Sequence, residues 1–349
     1  MPANCKPDAC ARWIAATGLV FSLVLTTACS KKPFDHLPAT IAPAQAAPSP
    51  PLTRVPAGSV RLLPGHPQTA LFDGRTGLLA VVSPGPDPTA PASLTVLGPQ
   101  QTSQRVIGLP GPVTGLAGDN TGTAYLSTRG GYLVVDLPTG AVTRLGVRDS
   151  EHVEFSAISR RSDGTVVLGT ADGLLYLLAP GATDGNRIQV HAHVDSLAAQ
   201  GNTVAVLDRG QTSITTVGPD GRIGQSLRAG QGATTMVSDP AGRLLVSDTR
   251  GDQLLVYGVD PLILRQAYPV TDSPYAVAGS RGLAWVSQTS ANSVTGYDLS
   301  TGIPLEKVRY PSVRQPNALA FDDVAGTLYV MSGAGEGVQI IEHAAAGPR

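Results

Sequence analysis

The chain has 349 residues, 42 % of them hydrophobic, enough to bury one large core or two ordinary ones. Its formal net charge of −1 gives no electrostatic case for a nucleic-acid partner. The 40 glycines and 29 prolines, against 5 % aromatics, favour many turns over long helices. All three cysteines, Cys5, Cys10 and Cys29, lie near the amino terminus, so the body has neither a disulfide framework nor a thiolate metal site.

In chain order, the first element is an address. Lys6 and Arg12 precede a mostly apolar stretch of 12 residues, Ile14 to Leu25. That is too short to span a bilayer and the right length for the apolar part of a signal peptide. Leu25-Thr26-Thr27-Ala28-Cys29-Ser30 follows and resembles a bacterial lipobox. The resemblance implies a signal peptide over 1–28, cleavage before Cys29 and a lipid on its sulfur, holding the protein on the outer side of the cell membrane. Residues 29–56 contain seven prolines among many alanines and show no periodicity, which predicts an extended, flexible linker. At about 3.1 Å per residue it would hold the following domain up to roughly 70 Å from the lipid surface.

The body, 57–343, repeats a short pattern: glycine, any residue, apolar, any residue, apolar. Copies begin at Gly77, Gly122, Gly164, Gly201 (with one extra residue), Gly242, Gly282 and Gly326, at intervals of 45, 42, 37, 41, 40 and 44. A period near 40 built from short alternating runs predicts an all-β, seven-bladed β-propeller. Each repeat reads as a small-residue strand, an Asp- or Gly-bearing turn, the Gly-led strand, a polar loop, a third strand, a hairpin turn and a more polar fourth strand. The seventh repeat stops after its third strand, leaving 344–349 as a tail, while an orphan strand, Ser59 to Leu63, precedes the first repeat. Pairing the two closes the ring and removes an open edge.

The last repeats carry Ser273-Pro274-Tyr275-Ala276-Val277, Leu283-Ala284-Trp285-Val286 and Gln315-Pro316-Asn317-Ala318-Leu319-Ala320-Phe321 with Leu328-Tyr329-Val330. These runs resemble YVTN/NHL-type propeller repeats. With the lipobox and the linker, the whole chain is similar to the propeller lipoproteins of mycobacteria and other actinobacteria. The resemblance implies the architecture and the anchor, and brings no catalytic motif.

Strand direction places second-to-third loops and blade-to-blade connections on one rim, and the tight Asp-Gly and Thr-Gly turns on the other. Polar side chains on loops held by a rigid scaffold make the first rim the expected binding face. The candidates from second-to-third loops are Arg129, Asp172, Asp208, Arg209, Asp248, Arg250, Asp252, Gln288 and Asn292. The connections add His66, Glu151, His152, His191, His193, Asp195, Gln231, Asp272 and Gln315. His191, His193 and Asp195 share a side of an extended chain and could form a metal trio, but two histidines at this spacing arise readily by chance. Asp248-Thr249-Arg250-Gly251-Asp252 lacks the distal Glu of a calcium loop and reads as a turn. No P-loop, HExxH or GxSxG pattern occurs.

The expected function is a monomeric, non-enzymatic binding or scaffold lipoprotein of the cell envelope, with no cofactor and no metal, taking an unknown protein or small ligand on the loop-rich face. The alternative is a metal-dependent, lactonase-like propeller hydrolase. The Gly-, Ala-, Thr- and Val-rich strands near the axis disfavour it, because such a site needs converging carboxylates and amides.

Overall fold

In the computed structural model, residues 39–99, 103–190 and 193–347 are described. Cys29, the signal peptide and His191 lie outside them. Seven four-stranded antiparallel sheets form a ring, with blades at 69–108, 115–146, 155–189, 196–228, 233–269, 274–311 and, for the seventh, 316–341 with the closing strand Ser59–Arg61. Each blade's first strand packs against those on either side, and that of blade 1 meets that of blade 7. The ring is therefore a seven-bladed β-propeller.

Burial follows position in the blade. The second strand of blade 3, Val166–Thr170, is buried at every residue, because a neighbouring blade covers each face. The fourth strands are half solvated, as in Val142–Gly146 and Ile223–Arg228. The core lies between blades rather than inside any one of them. Leu245, Leu254 and Val256 of blade 5 pack on Val277, Val286 and Tyr297 of blade 6. Leu79, Val81 and Leu97 of blade 1 pack on Tyr329, Met331 and Val338 of blade 7. Trp285 is fully buried and stacks on Phe321 of the next blade at 5.5 Å.

Closure pairs Ser59, Val60 and Arg61 antiparallel with Ile340, Gln339 and Val338. The buried Gln339 side chain locks this seam. Its amide donates to Ala57 O at 2.8 Å and Pro311 O at 2.9 Å, and its oxygen accepts from Val313 N at 3.0 Å. Gly58 enters the seam at φ 72°, where a β-carbon would stand 2.1 Å from Ile340 O, so no other residue fits without moving the strand. Residues 344–346, expected as a tail, form a 3-10 turn whose Ala344 carbonyl accepts from Tyr310 Oη at 2.7 Å.

On the rim of tight turns, aspartates organise the first-to-second connections. Asp119 accepts from Thr121 N and Thr123 N, Asp163 from Thr165 N, and Asp239 from Ala241 N and Arg243 N, all within 3.1 Å. Burial raises the Asp119 carboxyl, but its hydrogen bonds outweigh this and lower it; for Asp163 the Thr165 N–H is the main cause of the same lowering.

The described part of the expected linker behaves differently from the expectation. Residues 39–56 contain no strand or helix, yet they are bonded to the ring along the loop-rich face. Ala44 is buried there. The reach estimated for a free 29–56 linker does not apply to this portion. Among the described residues no helix is long and apolar enough to cross a membrane.

Candidate functional site

The loop-rich face is organised by one recurring position. The last residue of each second strand is polar and buried: Ser83, Thr128, Thr170, Asp208, Asp248, Gln288 and Ser332. In six of the seven, the side chain ties the preceding blade-to-blade connection to the blade. Ser83 Oγ donates to Pro64 O at 3.1 Å, Thr128 Oγ1 to Pro112 O at 2.7 Å, and Ser332 Oγ to Arg314 O at 2.6 Å. Gln288 Nε2 donates to Thr271 O at 3.0 Å. Asp208 accepts from His193 N at 3.1 Å and Gln211 N at 2.8 Å. Asp248 accepts from Gln231 N, Gly232 N and Gly251 N, at 2.9, 2.7 and 3.0 Å. Thr170 differs, bonding its own loop through Leu174 N at 2.9 Å.

Three of the sequence-predicted site residues, Asp208, Asp248 and Gln288, are thus interior staples. A buried carboxylate that accepts several N–H groups holds loops in place and presents little to a ligand. Three others bind the chain's own segment 39–56. Arg209 Nη2 donates to Ala44 O at 2.5 Å, Arg250 Nη2 to Ala42 O at 2.7 Å, and Asn292 Nδ2 to Pro50 O at 2.8 Å. The remaining three are exposed. Arg129 stands 3.5 Å from Glu154, Asp172 accepts from Thr170 Oγ1, and Asp252 sits in a turn at φ 51°. The nine candidates therefore do not converge on one point.

What does converge is the mouth of the axial channel. The first strands surround a cavity of ≈ 420 Å³, with small residues such as Gly115, Ala117 and Ala198 on its wall. Above it, on the loop-rich face, a wider cavity of ≈ 690 Å³ opens between the 84–92 loop of blade 1 and the first residues of blades 2, 4, 5 and 6. Its polar wall is mostly uncharged: Gln68, Thr69, Thr114, Ser196, Thr234 and Tyr275. The charged lining residues are Asp87 and Asp195, with no cation among them. Asp87 is held below the usual carboxylate range by the Thr89 hydroxyl and amide. Asp195 lines both cavities and accepts from Arg209 N at 2.7 Å.

His193 Nδ1 stands 3.3 Å from Asp195 Oδ1, at ion-pair distance but without hydrogen-bond alignment. Among the described residues no three His, Cys, Asp or Glu side chains gather closely enough to hold a metal ion. Asp195 and Gln315 stood among the connection residues singled out by strand direction. Tyr275 and Thr234, which line the mouth, did not; a hydroxyl near a first-strand entry was the available signal.

No protein family matches the sequence, and no curated protein does. Solved structures do. A chain of the mitotic checkpoint complex is similar over 88 % of this chain and 98 % of its own, with TM-score 0.69 and 11 % identity. A chain of Kuenenia stuttgartiensis hydrazine synthase matches over 82 % and 98 %, with TM-score 0.63 and 12 % identity. Streptogramin B lyase matches over 79 % and 94 %, with TM-score 0.64 and 12 % identity. At such identities the likeness carries the fold alone. It nonetheless corrects the expectation of a non-enzymatic protein. A lyase and a synthase share this fold, so a propeller without a catalytic motif gives no ground for excluding catalysis.

Proposed function

We propose that the chain is a cell-envelope propeller, anchored through Cys29, that captures a polar ligand, uncharged or cationic, at the mouth of its axial channel. The carrying observation is the composition of that mouth: hydroxyl and amide groups around Asp195 and Asp87, with no Lys, Arg or His in the lining. Hydroxyls and carboxamides both donate and accept, which suits a hydroxylated or amide-bearing ligand. The two carboxylates attract a cation and repel an anion. The cavity has the size and position expected of a small-molecule site, concave and set on rigid strand ends. The apolar run before Ala28-Cys29 supports the anchor.

Two measurements test the reading. Titration calorimetry with spermidine, maltotriose and citrate as cationic, neutral and anionic probes should show binding by one of the first two. Asp195→Asn should weaken the cation at least about tenfold. Binding of citrate alone would overturn the assignment. Separately, Cys29→Ala should move the protein from the membrane fraction to the soluble one; retention at the membrane would place the anchor elsewhere.

A further inference from the structure

The segment 39–52 lies on the loop-rich face in the manner of a bound peptide. It is held almost wholly through its main chain. Ile41 N donates to Gly210 O at 2.8 Å, and Ala47 N to Ser273 Oγ at 3.0 Å. Arg250, Arg209 and Asn292 donate to the carbonyls of Ala42, Ala44 and Pro50. A single carboxamide, that of Gln315, spans Pro48. Its Nε2 donates to Ala47 O at 3.2 Å, and its Oε1 accepts from Ser49 N at 3.0 Å.

Side chains are selected at two points only. Ala44 is buried against Gly232, where a β-carbon would stand 2.9 Å from the Ala44 Cβ and 2.8 Å from the Arg250 Cβ. The receptor residue must therefore be glycine and the peptide residue small. Ser49 Oγ donates to Thr289 O and accepts from Gln315 N, both at 2.7 Å. Pro43, Pro48 and Pro50 have no N–H that needs an acceptor and keep the segment extended, which lowers the entropy lost on seating. Two groove atoms, Arg209 Nε and Asn292 Oδ1, are buried with no hydrogen-bond partner among the described residues. The chain's own segment leaves them unread.

We propose that this groove, across blades 4 to 6, is a binding site for extended proline- and alanine-rich peptides of other proteins, and that residues 41–50 occupy it in cis as a self-ligand. The motif it reads is a small residue followed, five positions on, by Ser-Pro. The site is distinct from the channel mouth and does not rest on the small-ligand reading. Tethering gives the self-ligand an effective concentration in the millimolar range, so a free peptide gains the groove only after the tether is released.

The test keeps the full chain and cuts it after folding. A specific protease site is inserted between Thr53 and Arg54, on the exposed stretch that precedes the closing strand. A fluorescent peptide of residues 39–52 is then titrated by anisotropy. The nicked ring should bind it at least about tenfold more tightly than the uncut ring. Gln315→Ala in the nicked ring, or Ala44→Leu in the peptide, should each weaken binding by about tenfold or more. Equal binding by nicked and uncut protein would overturn the proposal, as would equal binding of a scrambled peptide. Loss of the sheet circular-dichroism signal on cutting would also overturn it, since the segment would then be part of the fold rather than a ligand of it.

Discussion

Two sectors of the loop-rich face differ in how they are held and in what they leave open. Over blades 4 to 6 the staple positions carry Asp208, Asp248 and Gln288. Over blades 7, 1, 2 and 3 they carry Ser332, Ser83, Thr128 and Thr170. Each of these hydroxyls ties its strand to a single residue's backbone, whereas Asp208 and Asp248 accept two and three N–H groups and gather a loop and a connection together. Gln288 ties a connection through Nε2 while its Oε1 holds Ser293 and Thr295. The gathered sector is also the one on which segment 39–52 lies. The sector of hydroxyls includes the 84–92 loop and borders the channel mouth. One ring has thus built a side covered by its own segment, read through main-chain groups, and an open side, and both border the channel mouth, through blades 4 to 6 and through blades 1 and 2.

This contrast can be broken by substitution. Asp248→Ala leaves one buried and two partly buried N–H groups unpaired, at about 1–3 kcal/mol for the buried one and less for the others, so a loss of roughly 4 kcal/mol in chemical denaturation is expected. A loss below about 1 kcal/mol would mean that the staple does not hold the covered sector.

Alkaline titration probes the wedges beneath that sector. Burial pushes the Tyr257 and Tyr297 phenols up from 10.0 to about 12. A raised folded value favours the neutral phenol. The stability it represents is therefore complete below pH 10 and is lost as pH climbs toward 12. The loss is on the order of 2 to 3 kcal/mol for each tyrosine, and Tyr257→Phe should flatten the decline. An unchanged profile in that variant would show that this phenol is already wet.

Gln315→Ala should release residues 47–49 at a cost of about 1–2 kcal/mol, read as local hydrogen exchange with little change in global unfolding. Smallest is Ser83→Ala on the open side, where one hydrogen bond to Pro64 is removed, for about 1 kcal/mol. If this matched Asp248→Ala, the two sectors would not differ in kind.

The ring and its closure were legible because the signals are local and repeated. The Gly-led runs alternate at a fixed spacing, and the strand around Val60 had no other partner than the unfinished seventh sheet. The small residues of the first strands also marked the axis correctly, as the wall formed by Gly115 and Ala117 shows. The roles of the polar residues were not legible. Asp208 and Arg209 are neighbours in sequence, yet one turns inward to His193 N and the other reaches Ala44 O. Which way a loop residue turns depends on tertiary contacts that periodicity does not carry. Segment 39–56 was opaque for a further reason. An extended Pro-rich chain makes no hydrogen bonds within itself, so nothing inside it reports whether a neighbour completes them. What distinguishes a seated segment from a free one is bonding to residues far along the chain, such as that of Ala47 and Ser49 to Gln315, 266 residues beyond Ser49.

The seating of that segment separates the two sectors, and amide hydrogen exchange on the intact protein measures it directly. Slow exchange is expected at Ile41, Ala47 and Ser49, lifted by Gln315→Ala at Ala47 and Ser49. Fast exchange at all three amides in the unaltered chain, matching that of an unstructured peptide of the same sequence, would contradict it.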